Sequence, residues 1–477
     1  MTLRGLHHIN SHNNIYQKRI KVNNIMKKTK SLFPSFIGLC ACLLAGMGMP
    51  LLQANANTAV SSNTITETDI KADTNTAPVA GTDININTGT NSRASTGKTE
   101  KSLKIMETPP EITLYEDDIT ATSYKLQPVT INGEVNPVYS CYNSTLTKDT
   151  ATLNGITDST NVFAIEFTTN CQEFIFKSSS FFRISVDEGN GYELTSYEGY
   201  TENPYVWACY KVRFSEKKQR NIKIECTLKF WGVYLQEGDT ISKLEREANP
   251  KALFVGTSIT QGIYRYSNQC NCLVGYPMVV CNLLGFECIN NGTGGTGYLT
   301  KGATTTYYDR LVTAIENEHP DIIFIEGGPN DVDRYDNNDI VAEAVRCHAY
   351  IKEHAPDTKV IIIGLYHHTG YEYLPVKHID LNKKLRQEAL KFGLPYIDLL
   401  TGDTIAGDGT VLTEGHLLSA DGNCYITGNG NVSNPTGNGN ADIYVDTDNY
   451  HPTPEGYKFL GLKLSTEIEK ILQYAKD

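Results

Sequence analysis

Positive charge, tryptophan and metal-binding spacing are all scarce in this 477-residue sequence. Its 42 lysines and arginines are outnumbered by 54 aspartates and glutamates, leaving a formal net charge of −12. That field repels phosphates, which argues against nucleic acid or an anionic membrane surface as partner and leaves uncharged ligands such as carbohydrate. Only two tryptophans, Trp207 and Trp231, stand against 28 tyrosines. Both fall in a stretch that alternates like a β-domain, where core positions suit them better than a sugar platform. The same domain accounts for most tyrosines, although a ring face with an outward hydroxyl also suits sugar. No cysteine spacing fits a zinc site: Cys270-Asn271-Cys272 is too tight and has no matching second pair. Neither a metal nor an organic cofactor is therefore expected.

The one long apolar run lies near the N-terminus. Lys27, Lys28 and Lys30 follow Met26, Leu32 to Leu52 is apolar, and Ala54-Asn55-Ala56 has the small-x-small pattern of a cleavage site. Residues 26–56 read as an export signal and 1–25 as an upstream extension. Pro34 and Pro50 favour removal over a retained span, and the residues around Cys42 fit a lipid anchor poorly. The expectation is a protein outside the cytoplasm (secreted, at the cell surface or periplasmic) with no membrane insertion once the signal is gone. Of twelve cysteines, Cys40 and Cys42 fall in the signal, and the even remainder permits disulfides without specifying pairs.

Residues 57–107 read as a disordered tether, rich in Asn, Thr, Ser, Asp and Ala, because they hold too little apolar surface to offset ordering. Over 108–240 the period becomes two. Val162–Phe167, Glu173–Lys177, Phe181–Val186, Val206–Phe214 and Asn221–Phe230 alternate apolar and polar residues between turns, the signature of an antiparallel β-sandwich. Gly238 to Pro250 reads as a connector. Beyond it, over 250–477, continuous apolar runs (Ala252–Val255, Phe286–Ile289, Asp321–Ile325, Val360–Leu365, Leu394–Leu399) predict strands buried on both faces. Helical segments Tyr276–Leu284, Tyr307–Glu318, Asp339–His354, Pro375–Phe392 and Pro454–Tyr474 separate or follow them, the last with Thr453 as cap and Pro454 at its first position. Alternating β and α elements predict a doubly wound α/β fold, a parallel sheet with helices on both faces and function at the carboxyl ends of the strands.

Four short segments lie at those ends. Gly256-Thr257-Ser258 follows the first strand, where the serine is exposed in a turn that could equally be a helix cap. Asn290-Asn291-Gly292-Thr293-Gly294-Gly295 follows the second; its amides can face an anion. A nucleotide site is a poor fit, because no acidic ribose partner and no Gly-Lys-Ser accompany the glycines. Gly328-Pro329-Asn330-Asp331 follows the third strand, and Asp448-Asn449-Tyr450-His451 precedes the last helix. A carboxylate three residues before a histidine can reach its Nδ1. His367-His368 is a lesser candidate pair, as polar rim or metal-leaning residues without a ligand set.

These four segments, in this order, resemble the SGNH (GDSL-like) hydrolase superfamily. The resemblance spans about 250–477 and implies a three-layer α/β/α, flavodoxin-like domain and a serine ester hydrolase. It implies Ser258 as nucleophile, His451 as base, Asp448 as its orienting acid, and an oxyanion hole from the Ser258 and Gly295 amides and the Asn330 side chain. Thr257 departs from the pattern, since the family more often carries aspartate there. A preceding sandwich is similar in arrangement to family two carbohydrate esterases, which implies an acetylated carbohydrate as substrate. Tyr264 and Arg265 are candidate sugar contacts, and the Gly/Asn-rich insertion 402–446 either borders the cleft or is a surface loop. A lipase, lysophospholipase or thioesterase, and a non-catalytic carbohydrate-binding protein, are the rival readings.

Overall fold

The computed structural model describes residues 102–132, 134–142, 162–178, 181–200, 208–227, 230–264, 269–270, 272–302, 304–415 and 425–475. The export signal, the upstream extension and nearly all of the tether, together with Trp207 and Arg265, lie outside the described residues. At the start of the described chain, Leu194 N–H donates to Lys104 O and Met106 N–H to Leu194 O, so residues 104–106 already pair with the sandwich. The apolar Leu103 and Met106 explain this, since both pack against buried clusters.

Two antiparallel sheets form the sandwich. In one, strands 111–115, 208–213, 173–178, 230–235 and 125–128 lie side by side; in the other, the order is 241–242, 163–169, 220–226, 182–187 and 193–194. Alternating residues from both sheets meet in one core, where the ring of Phe176 stands edge-on to Phe182 at 4.7 Å and Phe167 edge-on to Tyr139 at 5.8 Å. Each fully buried phenylalanine here contributes about 1.5–3 kcal/mol. The alternation across Asn221–Phe230 belongs to two strands, not one. The chain leaves one sheet after Cys226 and enters the other at Phe230, and the pattern persists because both sheets face the same core. Trp231, expected inside, is half-buried outside that cluster, with Lys177 Nζ 4.8 Å above its ring.

Residues 251–475 form the α/β layer sandwich. Its strands are β1 (Lys251–Gly256), β2 (Glu287–Gly292), β3 (Ile322–Glu326), β4 (Lys359–Ile363), β5 (Tyr396–Ile397), β6 (Thr404–Ile405) and β7 (Val411–Thr413), in the spatial order 2-1-3-4-5-6-7. The first five are parallel, in the flavodoxin-like order. The sheet is therefore not wholly parallel: β6 and β7 add an antiparallel hairpin from the start of the polar insertion. The helices are α1 (Ser258–Gln261), α2 (Tyr276–Leu284), α3 (Tyr307–Glu318), α4 (Asn337–His354), α5 (Val376–Lys391), α6 (Ala441–Tyr444) and α7 (Pro454–Tyr474).

Each continuous apolar strand feeds two cores. Ala252, Phe254, Phe324, Ile361 and Ile363 face α2 and α7, whereas Leu253, Val255, Ile323, Ile325 and Ile362 face α3, α4 and α5. That division is the physical reason the strands carry no polar alternation. Val162, Phe181 and Tyr197 of the sandwich join the first of these clusters. Two buried polar side chains tie the layers further. Arg183, fully buried, donates to Glu225 at 2.7 Å and to Leu273 O at 2.9 Å, and the Tyr197 hydroxyl donates to Val274 O at 2.8 Å and Pro454 O at 3.2 Å. No described helix is long and apolar enough to cross a membrane. Cys171, Cys209, Cys226, Cys281 and Cys347 are free thiols.

Candidate active site

The carboxyl ends of β1, β2 and β3 lie in register, with Gly256 opposite Gly292 and Val255 opposite Ile325. The three loops leaving them are therefore neighbours. Thr257 caps α1 by accepting the Ile259 N–H, which makes Ser258 the first residue of that turn, and Gly262 closes it in the left-handed region. Gly292 runs against the turn so closely that a Cβ would collide with the Thr260–Gln261 backbone. Gln261 Oε1 accepts the Gly294 N–H at 2.7 Å. A Cβ built on Gly294 would lie 3.6 Å from Ser258 Cβ. The second loop is thus pressed onto the serine.

Three buried charged residues hold these loops. Arg310 of α3 donates to Gly256 O at 3.1 Å, Thr296 Oγ1 at 2.8 Å and Thr293 Oγ1 at 3.0 Å, and also to Asn291 O. Asp331 accepts the N–H groups of Tyr298 at 2.6 Å, Leu299 at 3.4 Å and Thr300 at 2.8 Å. Burial pushes the Asp331 carboxyl above the usual range, against the pull of those donors. Glu326, the last residue of β3, accepts from Thr257 and Thr260 beneath Ser258. The Gly294 N–H is committed to Gln261, and the next residue, Gly295, is exposed with φ +72°. Asn330 Nδ2 donates to Thr296 O at 2.9 Å, which hangs that side chain from the same loop.

The C-terminal segment arrives from the other direction. Asp446 N–H donates to His451 O at 2.8 Å, and Asn449 adopts φ +56°, a left-handed turn that asparagine tolerates. Asp448 Oδ1 accepts the N–H groups of Tyr450 and His451, both at 3.0 Å, leaving Oδ2 for His451 Nδ1 at 2.5 Å. Burial raises the Asp448 carboxyl, but the His451 ring, the backbone donors and the imidazole charge together hold it below its ordinary value. An ionised carboxylate only accepts, so Nδ1 carries the ring proton. His451 Nε2 then faces Ser258 Oγ at 2.9 Å, within hydrogen-bond reach. Thr453 Oγ1 caps α7 by accepting the Gly456 N–H, and Tyr457 on α7 donates to Ile263 O at 2.6 Å.

Residues 254–459 match the GDSL-like lipase/acylhydrolase family. Among solved structures, a family two carbohydrate esterase from Cellvibrio japonicus is 11% identical, covering 74% of this chain and 99% of its own, with a TM-score of 0.49. A family two carbohydrate esterase from Clostridium thermocellum in complex with cellohexaose is 14% identical (70% and 100% covered, TM-score 0.48). An acetyl xylan esterase from Butyrivibrio proteoclasticus is 12% identical (74% and 100%, 0.46). No curated protein sequence matches the chain.

Around Ser258, the other sequence candidates sort differently. Tyr264 is 8% exposed and packs within the cluster that holds Phe254 and Tyr276. His367 and His368 stack at 4.1 Å, His378 stands edge-on to His367 at 4.9 Å, and His368 meets Tyr450 at 5.4 Å. Burial lowers His367 to about 3 and His368 to about 4, so both rings are neutral near pH 7. Among the described residues no group of three or more His, Cys, Asp or Glu is arranged to hold a metal. The described parts of the 402–446 insertion are pinned by Asn and Asp side chains, and Gly370 N–H donates to Gly428 O, which sets the insertion against the His367–His368 loop. Sequence patterning does not single out Glu326 or Arg310, and Asp331 stands out only as part of Gly328-Pro329-Asn330-Asp331. The one available signal was an acidic residue ending an otherwise apolar strand, Ile322-Ile323-Phe324-Ile325-Glu326.

Proposed function

We propose that the chain is a serine esterase that removes acetyl groups from carbohydrate outside the cytoplasm. One observation carries the reading: Ser258 Oγ, His451 Nε2, His451 Nδ1 and Asp448 Oδ2 lie in one hydrogen-bonded line at 2.9 and 2.5 Å. In the proposed reaction His451 takes the hydroxyl proton as Ser258 Oγ bonds to the ester carbon. Asp448 keeps the imidazole in the productive tautomer and stabilises the imidazolium. The tetrahedral oxyanion is received by the Ser258 and Gly295 amides and the Asn330 Nδ2–H. Collapse breaks the carbon–oxygen bond, and the imidazolium gives its proton to the departing sugar hydroxyl. Water, deprotonated by His451, then attacks the acyl-enzyme and restores Ser258.

The acetyl assignment is supported by what surrounds the serine. Gly294 presses on one side, Tyr450 stands against the His451 ring, and Asn449 of the same turn is hydrogen-bonded to Asn431 of the polar insertion. Long acyl chains need an apolar channel, whereas sugar hydroxyls need such donors and acceptors. The acidic balance of the chain and the export signal read at 26–56 agree with an extracellular, uncharged substrate. Acetate release from acetylated xylan, mannan, pectin and peptidoglycan tests the proposal, with p-nitrophenyl acetate and a long-chain p-nitrophenyl ester alongside. Faster cleavage of the long chain would replace the carbohydrate reading with the lipase one.

A further inference from the structure

Beneath Ser258 lies a carboxylate with no part in the proposed reaction. Glu326 is 1% exposed, and among the described residues no cation pairs with it. Its oxygens accept three donors from the turn that carries the nucleophile: Thr257 N–H at 3.1 Å, Thr257 Oγ1–H at 2.8 Å and Thr260 Oγ1–H. The two threonine hydroxyls pass the constraint onward. Thr257 Oγ1 accepts the Ile259 N–H at 3.2 Å, and Thr260 Oγ1 meets the Tyr276 hydroxyl at 2.8 Å. Gly256 leaves no spare room, because a Cβ there would collide with both Thr260 Oγ1 and Glu326 Oε2.

A carboxylate is costly to bury without a cation unless several donors converge on it. Burial pushes the Glu326 carboxyl above its ordinary value, and the Thr260 and Thr257 donors offset only part of that rise. Every polar contact described for it is a donor, which a carboxylate satisfies and a neutral amide cannot. The turn is also very short. α1 has four residues, so its own ladder cannot set where Ser258 points. Thr257 has its side chain within 2.8 Å of Glu326. A carboxylate on either residue would fall in the same small volume.

We infer that Glu326 is a positioning residue for Ser258: from the end of β3 its carboxylate holds the nucleophile's turn through the donors of Thr257 and Thr260. The inference rests on Ser258 being the nucleophile. It makes the carboxylate transferable between the two positions, which a merely space-filling role would not.

The test compares parent enzyme, Glu326→Gln, Thr257→Asp, the double variant Thr257→Asp/Glu326→Gln, and Ser258→Ala. Steady-state hydrolysis of p-nitrophenyl acetate and the rate of covalent labelling by a small organophosphonate are read for each. In Glu326→Gln one amide oxygen must serve three donors and an NH2 group opposes them. Its kcat and labelling rate should fall about 100-fold with KM unchanged, the scale of losing one preorganised contact at the reacting centre. Thr257→Asp alone places two carboxylates within hydrogen-bond reach, so its activity relative to the parent should drop as pH rises and both ionise. The double variant should return to within about ten-fold of the parent, the non-additivity expected of residues in direct contact. Glu326→Gln at parental kcat, or a double variant no better than Glu326→Gln, would overturn the inference. If Glu326→Gln does not fold, the double variant decides: a folded, active protein upholds transfer of the charge, and an unfolded or inactive one removes it. Hydrolysis by Ser258→Ala would instead remove the nucleophile assignment, leaving the two failures distinguishable.

Discussion

Ser258 and His451 face each other across 2.9 Å, yet different kinds of contact hold them. On the serine side the ties are long in sequence: Thr257 to Glu326, Gly256 to Arg310, Gly294 to Gln261, Tyr298 to Asp331. On the histidine side they are local. Asp448 accepts from the next two N–H groups but one, Asp446 reaches His451, and Thr453 caps the helix that follows. One half is assembled by the sheet and the other by a tight turn. The difference separates chemistry from architecture: a change to the buried groups that hold the serine's loops disturbs both, and a change in the turn disturbs chemistry first.

Substitutions can break that contrast at several strengths. Ser258→Ala should lower kcat by at least about 10⁴-fold with an unchanged melting temperature, since it removes only the nucleophile. Asp448→Asn should cost about 10⁴-fold, because the amide favours the wrong imidazole tautomer, again with little change in melting. Asn330→Ala should cost about 10²- to 10³-fold in kcat as one oxyanion donor is lost. Arg310→Met should lower both kcat and melting temperature, because it strands the buried carbonyls of Gly256 and Asn291. If melting of Arg310→Met matched the parent while Asp448→Asn melted far lower, the contrast between the halves would be inverted.

Acid should probe the histidine side through its neighbours. His367 and His368 have folded values of about 3 and about 4, against an ordinary 6.5, because burial disfavours their charged forms. Between 6.5 and those values the unfolded chain binds protons that the native chain refuses. Stability is therefore complete above about 6.5 and declines as pH falls toward 4. Melting scans across that window should show His368→Asn losing less stability than the parent on acidification. The smallest effect expected is Thr453→Ala, which removes the α7 cap at about 1 kcal/mol, read as a shift of a few degrees or less in melting.

The same contrast governs what the sequence made legible. Asp448 and His451 could be paired by counting residues, and Thr453, Pro454 and Tyr474 bound a helix at the ends read from the sequence. Ser258 and Asn330 became candidates through order along the chain, since each follows a buried strand. Glu326 and Arg310 could not be read in this way, because their partners lie 69 and 54 residues away and only the sheet brings them close. The hairpin of β6 and β7 hid in a polar, glycine-rich insertion, and Leu394–Leu399 kept only Tyr396–Ile397 as strand. Tyr264 looked available beside the nucleophile, but the α1 turn folds it back into the core.

Arg183 and Tyr197 belong to the sandwich in sequence, yet their donors are spent on Leu273, Val274 and Pro454 of the hydrolase layers. A gene fragment starting at residue 250 would carry those three carbonyls without their donors, along with a bare apolar face where Val162, Phe181 and Tyr197 had stood. The two halves are thus poor candidates for independent shuffling into new fusions. They are to be inherited, expressed and engineered as one piece.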